Sequence, residues 1–310
     1  MNTRRQESGW EGVLPVLKPA GMTSHDVVSR IRRTLGMRRV GHTGTLDPQV
    51  TGVLPICLGR ATRIVEYIQD LAKTYRAELT IGYATDTEDA TGQVTERTER
   101  VELNEERIRD VIASFVGEID QVPPMFSAVK SEGVRLYELA RQGVEVERKA
   151  RRVTIYRLNI EAIELAVPHP VVQFTVECSK GTYIRTLCVD IGRALGYPAV
   201  MSSLVRIASG NITAEQCLTL EEIATMSGSG TLEERIIPIG DALAHLPAFF
   251  LRSGAVDMAW NGRKIALSSI DPIAEGDLPR VRIYAPDGRF AGIYRIETGE
   301  GLAVPEKLFT

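Results

Sequence analysis

Apolar positions along the chain fall into two periods, one of strands and one of helices. Residues 12–17 form a short apolar run closed by Lys18, Pro19, Ala20 and Gly21, which predicts a strand entering a turn. Thr23 with Asp26 three residues on is a capping-box variant. Val27, Val28, Ile31 and Leu35 then recur at helical spacing, and Gly36 ends the helix. A second helix is predicted over 61–71, with Ile64, Val65, Ile68 and Leu71 on one face, and a strand over 75–83. Asn104 announces another helix, with Glu105 and Glu106 in its first turn and Ile108, Val111, Ile112 and Phe115 on its buried side. Strands are expected over 126–129 and 134–136 about a turn at Glu132 and Gly133, followed by a short helix to Gly143. Long strands are predicted over 153–165 and 171–178. Ser179, Lys180 and Gly181 lead from the second into a helix carrying Ile184, Leu187, Ile191 and Leu195.

Strands and helices are interleaved irregularly, without the alternation of a doubly wound sheet. The expectation is an α+β fold, a large mixed, mostly antiparallel sheet flanked by helices. The pattern loosens around Gly228, Ser229 and Gly230. After about Leu246 only short β-like runs remain (281–284 and 290–296), with a turn at Pro286, Asp287 and Gly288. Two domains are therefore expected, a main body over 1–245 and a small β domain over 246–310.

Composition sharpens this only a little. At 310 residues, 44% hydrophobic and 25% charged, the chain is an ordinary core-forming protein. No window approaches the roughly 20 apolar residues of a membrane helix. The start MNTRRQESGWEG has no apolar core of a secretory signal, so a cytoplasmic protein off the membrane is expected. Cys57, Cys178, Cys188 and Cys217 show no C-x-x-C pair and no disulfide spacing, and are read as reduced, mostly buried thiols.

The net charge of -3 conceals segregation. Arg30, Arg32, Arg33, Arg38 and Arg39 fall in one acid-free run, Arg60 and Arg63 follow, and Arg148, Lys149, Arg151 and Arg152 form a second cluster. Acids gather between Asp86 and Asp120. A basic face against an acidic back would let a mildly acidic protein bind phosphates, although solvated helix faces explain the same runs.

The stretch GHTGTLDPQVTG, residues 41–52, holds one acid, Asp47. An ordinary aspartate is ionised at neutral pH and suits nucleophilic or electrostatic work. Pro48 keeps Asp47 out of helical backbone, and the glycines permit close approach. A loop presenting one carboxylate and a plain Asx turn fit equally well. A second cluster, Ser179 to Arg185, puts Tyr183 and Arg185 at a strand-to-helix junction, where an arginine could neutralise and orient a buried aspartate. A surface arginine fits it too. Asp86 to Gly92 looks like a calcium loop, but Ala90 stands at a ligand position and Gly92 comes one place late, so an acidic turn is expected. His25, His42, His169 and His245 have no metal-ligand spacing, and no Walker or dinucleotide motif occurs, so neither metal nor nucleotide cofactor is expected.

Several segments occur together in a fixed order: VLKP with GMTS, GHTGTLDPQVTGVLPICLGRATR, KTYR, Thr85 to Thr87 with Asp89 and Gly92, PPMFSAVK, and CSKGTYIRTL. In these the chain, from about Gly12 to about Gly240, resembles the TruB family of bacterial tRNA pseudouridine synthases. The resemblance implies a pseudouridine synthase fold with a PUA-like C-terminal domain, and cofactor-free isomerisation of the T-loop uridine. It matches Asp47 to the catalytic aspartate, Arg185 to its arginine partner, and Tyr75 to the tyrosine that packs on the base and assists removal of the C5 proton. Tyr183 and Leu204 match residues lining the base pocket, and His42 a histidine that contacts RNA. Lys18 and Arg63, with the arginines from Arg30 onward, are expected to hold phosphates. Arg63 stands where some relatives have lysine, which keeps the charge. The implied partner is the tRNA T-arm and elbow, bound by a monomer. Two other functions compete. An RNA-binding or tRNA-folding protein, with modification secondary, would not require Asp47, Tyr75 and Arg185 together. A carbohydrate-acting enzyme would need a second acid near Asp47.

Overall fold

The structure is a computed structural model that describes residues 9–131, 133–144, 146–273 and 276–310. The first eight residues of the polar start, and Glu132 of the expected turn, lie outside the described residues. In chain order the strands are β1 (Gly12–Lys18), β2 (Val40–His42), β3 (Thr51–Leu58), β4 (Lys73–Ile81), β5 (Tyr83–Thr85), β6 (Val94–Arg97), β7 (Gly117–Gln121), β8 (Lys130–Ser131), β9 (Val134–Arg135), β10 (Arg151–Glu164), β11 (Val171–Cys178), β12 (Ala199–Ser209) and β13 (Ile212–Thr213). A second group runs from β14 (Ala248–Leu251) through β15 (Ile265–Ala266), β16 (Ile270–Asp271), β17 (Leu278–Tyr284) and β18 (Phe290–Glu297) to β19 (Leu302–Leu308). The α-helices are α1 (Ser24–Leu35), α2 (Val65–Gln69), α3 (Glu105–Ala113), α4 (Leu136–Arg141), α5 (Ile184–Leu195), α6 (Leu220–Ser229), α7 (Ile239–Ala242) and α8 (Val256–Trp260).

The main sheet has the order β1-β3-β12-β4-β11-β10-β7, with β2 on β3 and β13 on β12. Its pairings are antiparallel except where β12 meets β3. The second sheet has the order β15-β19-β18-β17-β14-β16. This is the expected α+β architecture, a large mixed sheet flanked by helices with a smaller β unit after it.

The core explains which strands the sequence conceals. On β1 and β3, Leu14, Val16, Leu54, Ile56 and Leu58 pack with α1 and α6, while Val13, Val53 and Cys57 face the opposite way onto Ala61, Ile64, Ile293 and Phe309. A strand buried on both faces reads as an unbroken apolar run rather than an alternation. Pro55 within it, opposite Pro15 on β1, further masks β3. The α3 and α5 helices cover β4, β11 and β12 through Ile108, Val111, Leu187, Ile191, Leu79 and Phe174.

α1 follows its caps: Thr23 and Asp26 close a capping box, and Gly36 ends the helix with a φ of 66°. The helix expected over 61–71 is instead a 3₁₀ segment, Gly59–Ile64, running into α2. Ala61, Ile64 and Tyr67 are buried at three-residue intervals, which suits the tighter turn. The strand expected over 126–129 is absent. There the Phe126 carbonyl accepts from Arg185, the Ser127 carbonyl from the Tyr137 N–H, and the Val129 carbonyl from the Leu136 N–H, which leaves no ladder. β9 stops at Arg135 because Leu136 already begins α4.

Ile293 and Phe309 carry the second sheet onto the main body. Arg60 donates to the Phe309 carbonyl and pairs with Glu11, which reinforces the contact. Among the described residues no helix is long and apolar enough to cross a membrane.

Candidate active site

Asp47 stands on the loop between β2 and β3, and that loop is held from below. The Lys18 ammonium, fully buried, donates to the carbonyls of Pro19 (2.8 Å), Pro48 (3.0 Å) and Val50 (2.7 Å). At the start of α1, Ser24 Oγ accepts from the Leu46 N–H at 2.9 Å, and the Pro48 carbonyl accepts from the Gly21 N–H. Leu46 and Val50 are buried on either side of Asp47. The turn after Asp47 is closed by backbone, with the Val50 N–H donating to the Asp47 carbonyl at 3.1 Å. The carboxylate is engaged elsewhere, with Arg185.

Arg185, in the first turn of α5, brings its Nε to 3.0 Å from Asp47 Oδ2, its side chain being 5% exposed against 42% for Asp47. Its Nη1 donates to the Thr87 carbonyl (2.9 Å) and its Nη2 to the Phe126 carbonyl (2.8 Å), so three partners fix the guanidinium plane. The acidic turn supplies one of them. Glu88, at a φ of 64°, accepts from Thr186 at 2.6 Å, and the turn bridges to Met201 of β12 through the Glu88 carbonyl and the Ala90 N–H. Asp86 and Asp89 accept from N–H and O–H groups of that same turn, including those of Gln93 and Thr91. Burial pushes the Glu88 carboxyl up, with the Thr186 hydrogen bond opposing.

A cavity of about 290 Å³ opens above this pair and brings Asp47, Tyr75, Tyr183, Arg185 and Leu204 together. Small-ligand pockets start near 300 Å³, so the space suits one base rather than a helical stem. Gln121 holds Tyr183 in place, donating to its carbonyl and accepting from its N–H at 2.7 Å. Burial raises the Tyr75 phenol above its ordinary range, while the neighbouring Arg206 guanidinium draws it down.

Three expected site residues lie elsewhere. The Lys18 ammonium, its three N–H donors taken by three carbonyls, supports the Asp47 loop and has no donor left for a phosphate. Arg63 donates to the Leu308 carbonyl at 2.7 Å and stacks on the Phe309 ring, which makes it a staple to the second sheet. His42 closes β2 outside the cavity lining, where its Nδ1 accepts from the Gly44 N–H and burial lowers its pKa. Two cavity residues are not among the expected site residues, although Lys73 opens the KTYR segment. Lys73, bonded to the carbonyls of Gln69 and Leu71, is pushed down to about 8 by burial, and Arg206 is 1% exposed. For Lys73 the signal is its place two residues before Tyr75 in KTYR; for Arg206 it is a cation set in a strand between Val205 and Ile207.

A family model described as TruB family pseudouridylate synthase (N terminal domain) matches residues 32–184, and one described as tRNA pseudouridylate synthase B C-terminal domain matches 185–244. The tRNA pseudouridine synthase B of Bacillus pumilus is 47% identical over 303 residues, covering 96% of this chain and 97% of that protein. That of Geobacillus thermodenitrificans is 47% identical over 307 residues, covering 96% and 99%. Among solved structures, a Cbf5-Nop10-Gar1 complex contains a chain similar at a TM-score of 0.74 with 30% identity, covering 96% of this chain and 85% of that one.

Proposed function

Because the chain belongs to the TruB family of pseudouridylate synthases, we propose that the cavity at Asp47 takes the T-loop uridine of tRNA, extruded from the elbow, and isomerises it to pseudouridine. The N-glycosidic bond is broken, the base turns, and a bond from C5 to the ribose carbon replaces it. The protein is an isomerase that modifies tRNA. The observation that carries the assignment of residues is the Asp47–Arg185 pair, 3.0 Å apart in the wall of a base-sized cavity.

Asp47 is the catalytic carboxylate, and Arg185 orients it. Tyr75 lies against the base while it turns, and assists removal of the C5 proton only once the new bond to the ribose has formed. Tyr183 and the apolar Leu204 complete the base pocket, and stacking on an aromatic ring offsets roughly 1–3 kcal/mol of the cost of extrusion. His42 meets the RNA beside the displaced nucleotide. The exposed Arg30, Arg32, Arg33, Arg38 and Arg39, around α1 and next to the Asp47 loop in sequence, supply the phosphate contacts that position the T-arm. In this reading the protein works as a monomer on tRNA in the cytoplasm.

Single-turnover reaction with unmodified tRNA, read by pseudouridine mapping, tests it. Asp47→Asn is expected to bind tRNA and form no product. Appreciable turnover by that variant would remove Asp47 from its role.

A further inference from the structure

The charged residues lining the cavity are Lys73, Lys180, Arg185 and Arg206 against one acid, Asp47. Arg185 pairs with Asp47, Lys180 with Asp70, and Lys73 with two carbonyls. Arg206 stands apart. Its Nε donates to the Val53 carbonyl at 2.6 Å, but its Nη2, fully buried, has no hydrogen-bond partner among the described residues, and no carboxylate there forms an ion pair with it. A guanidinium is always charged and only donates, so a buried N–H without an acceptor is costly and calls for an explanation.

The backbone builds this placement. Gly52, at a φ of 114°, lies so close that a Cβ would fall 2.1 Å from the Arg206 carbonyl oxygen, and the β12 register against β4 shifts between Arg206 and Ala208. Such irregularities re-aim side chains beside active sites. Across the ladder Arg206 is opposite Tyr75, so the two side chains leave the same face of the sheet as cross-strand neighbours.

We propose that Arg206 is the positioning residue for Tyr75: with the base seated, the guanidinium donates to the phenol oxygen and so directs the phenol O–H toward a carbonyl oxygen of that base. The proposal rests on the cavity being the pseudouridylation site. Negative charge develops on the base carbonyls by either route open to Asp47. Attack at C6 pushes an electron pair through C5 to O4, and departure from the ribose leaves the pair on the ring, shared by O2 and O4. Turning the base about its N3–C6 axis exchanges N1 with C5 and O2 with O4. One donor fixed in the wall therefore meets a carbonyl oxygen before and after the turn, and a cation behind it makes that donor stronger. The influence of Arg206 on the phenol noted above is in keeping with this arrangement.

A double-mutant cycle on the full chain decides the matter, measured as single-turnover pseudouridine formation alongside tRNA affinity. Arg206→Met is expected to slow product formation about 100-fold with affinity within about 3-fold, and Tyr75→Phe to slow it comparably. In the Tyr75→Phe background, Arg206→Met is expected to cost no more than about 3-fold further, because a residue acting through the phenol has nothing left to act on. Losses that multiply overturn the proposal, as does a near-wild-type rate for Arg206→Met. If Arg206→Met does not fold, Arg206→Lys, which keeps the charge and loses the fork, enters the same cycle under the same criterion. Absence of product from the wild-type protein would instead refute the assignment of the cavity.

Discussion

Replacing Arg185 by methionine separates the support of Asp47 from its chemistry. Methionine keeps much of the apolar stem and removes the guanidinium, which leaves the Thr87 and Phe126 carbonyls without their donor and Asp47 without its partner. Each hydrogen bond to a charged group is worth about 1.5–3 kcal/mol where it is buried, and the half-exposed Asp47 pairing adds no more than about 1 kcal/mol after screening by solvent. Relaxation of the acidic turn recovers part of the loss, so the expected destabilisation is about 2–4 kcal/mol, or a fall of roughly 3–6 °C in melting temperature. The catalytic loss should be disproportionate. A carboxylate free to turn away from the base is misplaced by an ångström or more, which costs about 100-fold in rate. Single-turnover modification of unmodified tRNA, with tRNA binding measured in parallel, should show that loss with affinity nearly kept. Arg185→Lys, whose ammonium cannot meet three partners in one plane, should fall between. A near-normal rate for Arg185→Met would show that the ion pair does not hold Asp47 for chemistry.

Lys18 provides a pH signature, because burial lowers its pKa from 10.5 to about 8, with nearby Asp47 opposing. Between those values the unfolded chain holds a proton that the folded chain has released, so this lysine makes stability rise with pH across the window. The stability of wild type relative to Lys18→Met should therefore increase from pH 8 to 10.5 in melting experiments; a flat difference would contradict a buried ammonium. For the RNA face, Arg30→Ala with Arg33→Ala should reduce the slope of log affinity against log salt by about 0.7–0.9 for each phosphate no longer neutralised. Arg63→Ala should leave that slope near wild type and lower the melting temperature, since Arg63 is engaged with Leu308 and Phe309. The opposite pattern would return Arg63 to the RNA surface.

Elements whose instructions are local were legible. The caps of α1, the helical face of α5 and the strand runs of β10 and β11 are written within a dozen or so residues, and each appears where the pattern puts it. β3 and β12 were not legible. β3 is buried on both faces and carries Pro55, so its alternation vanishes. β12 carries Ser202, Ser203 and Arg206, and the Ser202 hydroxyl bonds to Thr80 and Glu78 on β4, more than a hundred residues away.

The sequence by itself determined the local elements, the α+β class and, through motifs in a fixed order, the family with its candidate carboxylate. Its composition left Asp47 equally readable as a turn residue. Tertiary structure decided that the turn is made by backbone and that the carboxylate meets Arg185. It also decided which cations face the cavity: Lys18 is capped beneath the loop and Arg63 ties down the second sheet, while Lys73 and Arg206 line the wall. A one-dimensional pattern records that a residue is charged. Whether that charge is taken up by a carbonyl, a carboxylate or a substrate depends on which distant strand lies alongside, and only the packed sheet fixes that.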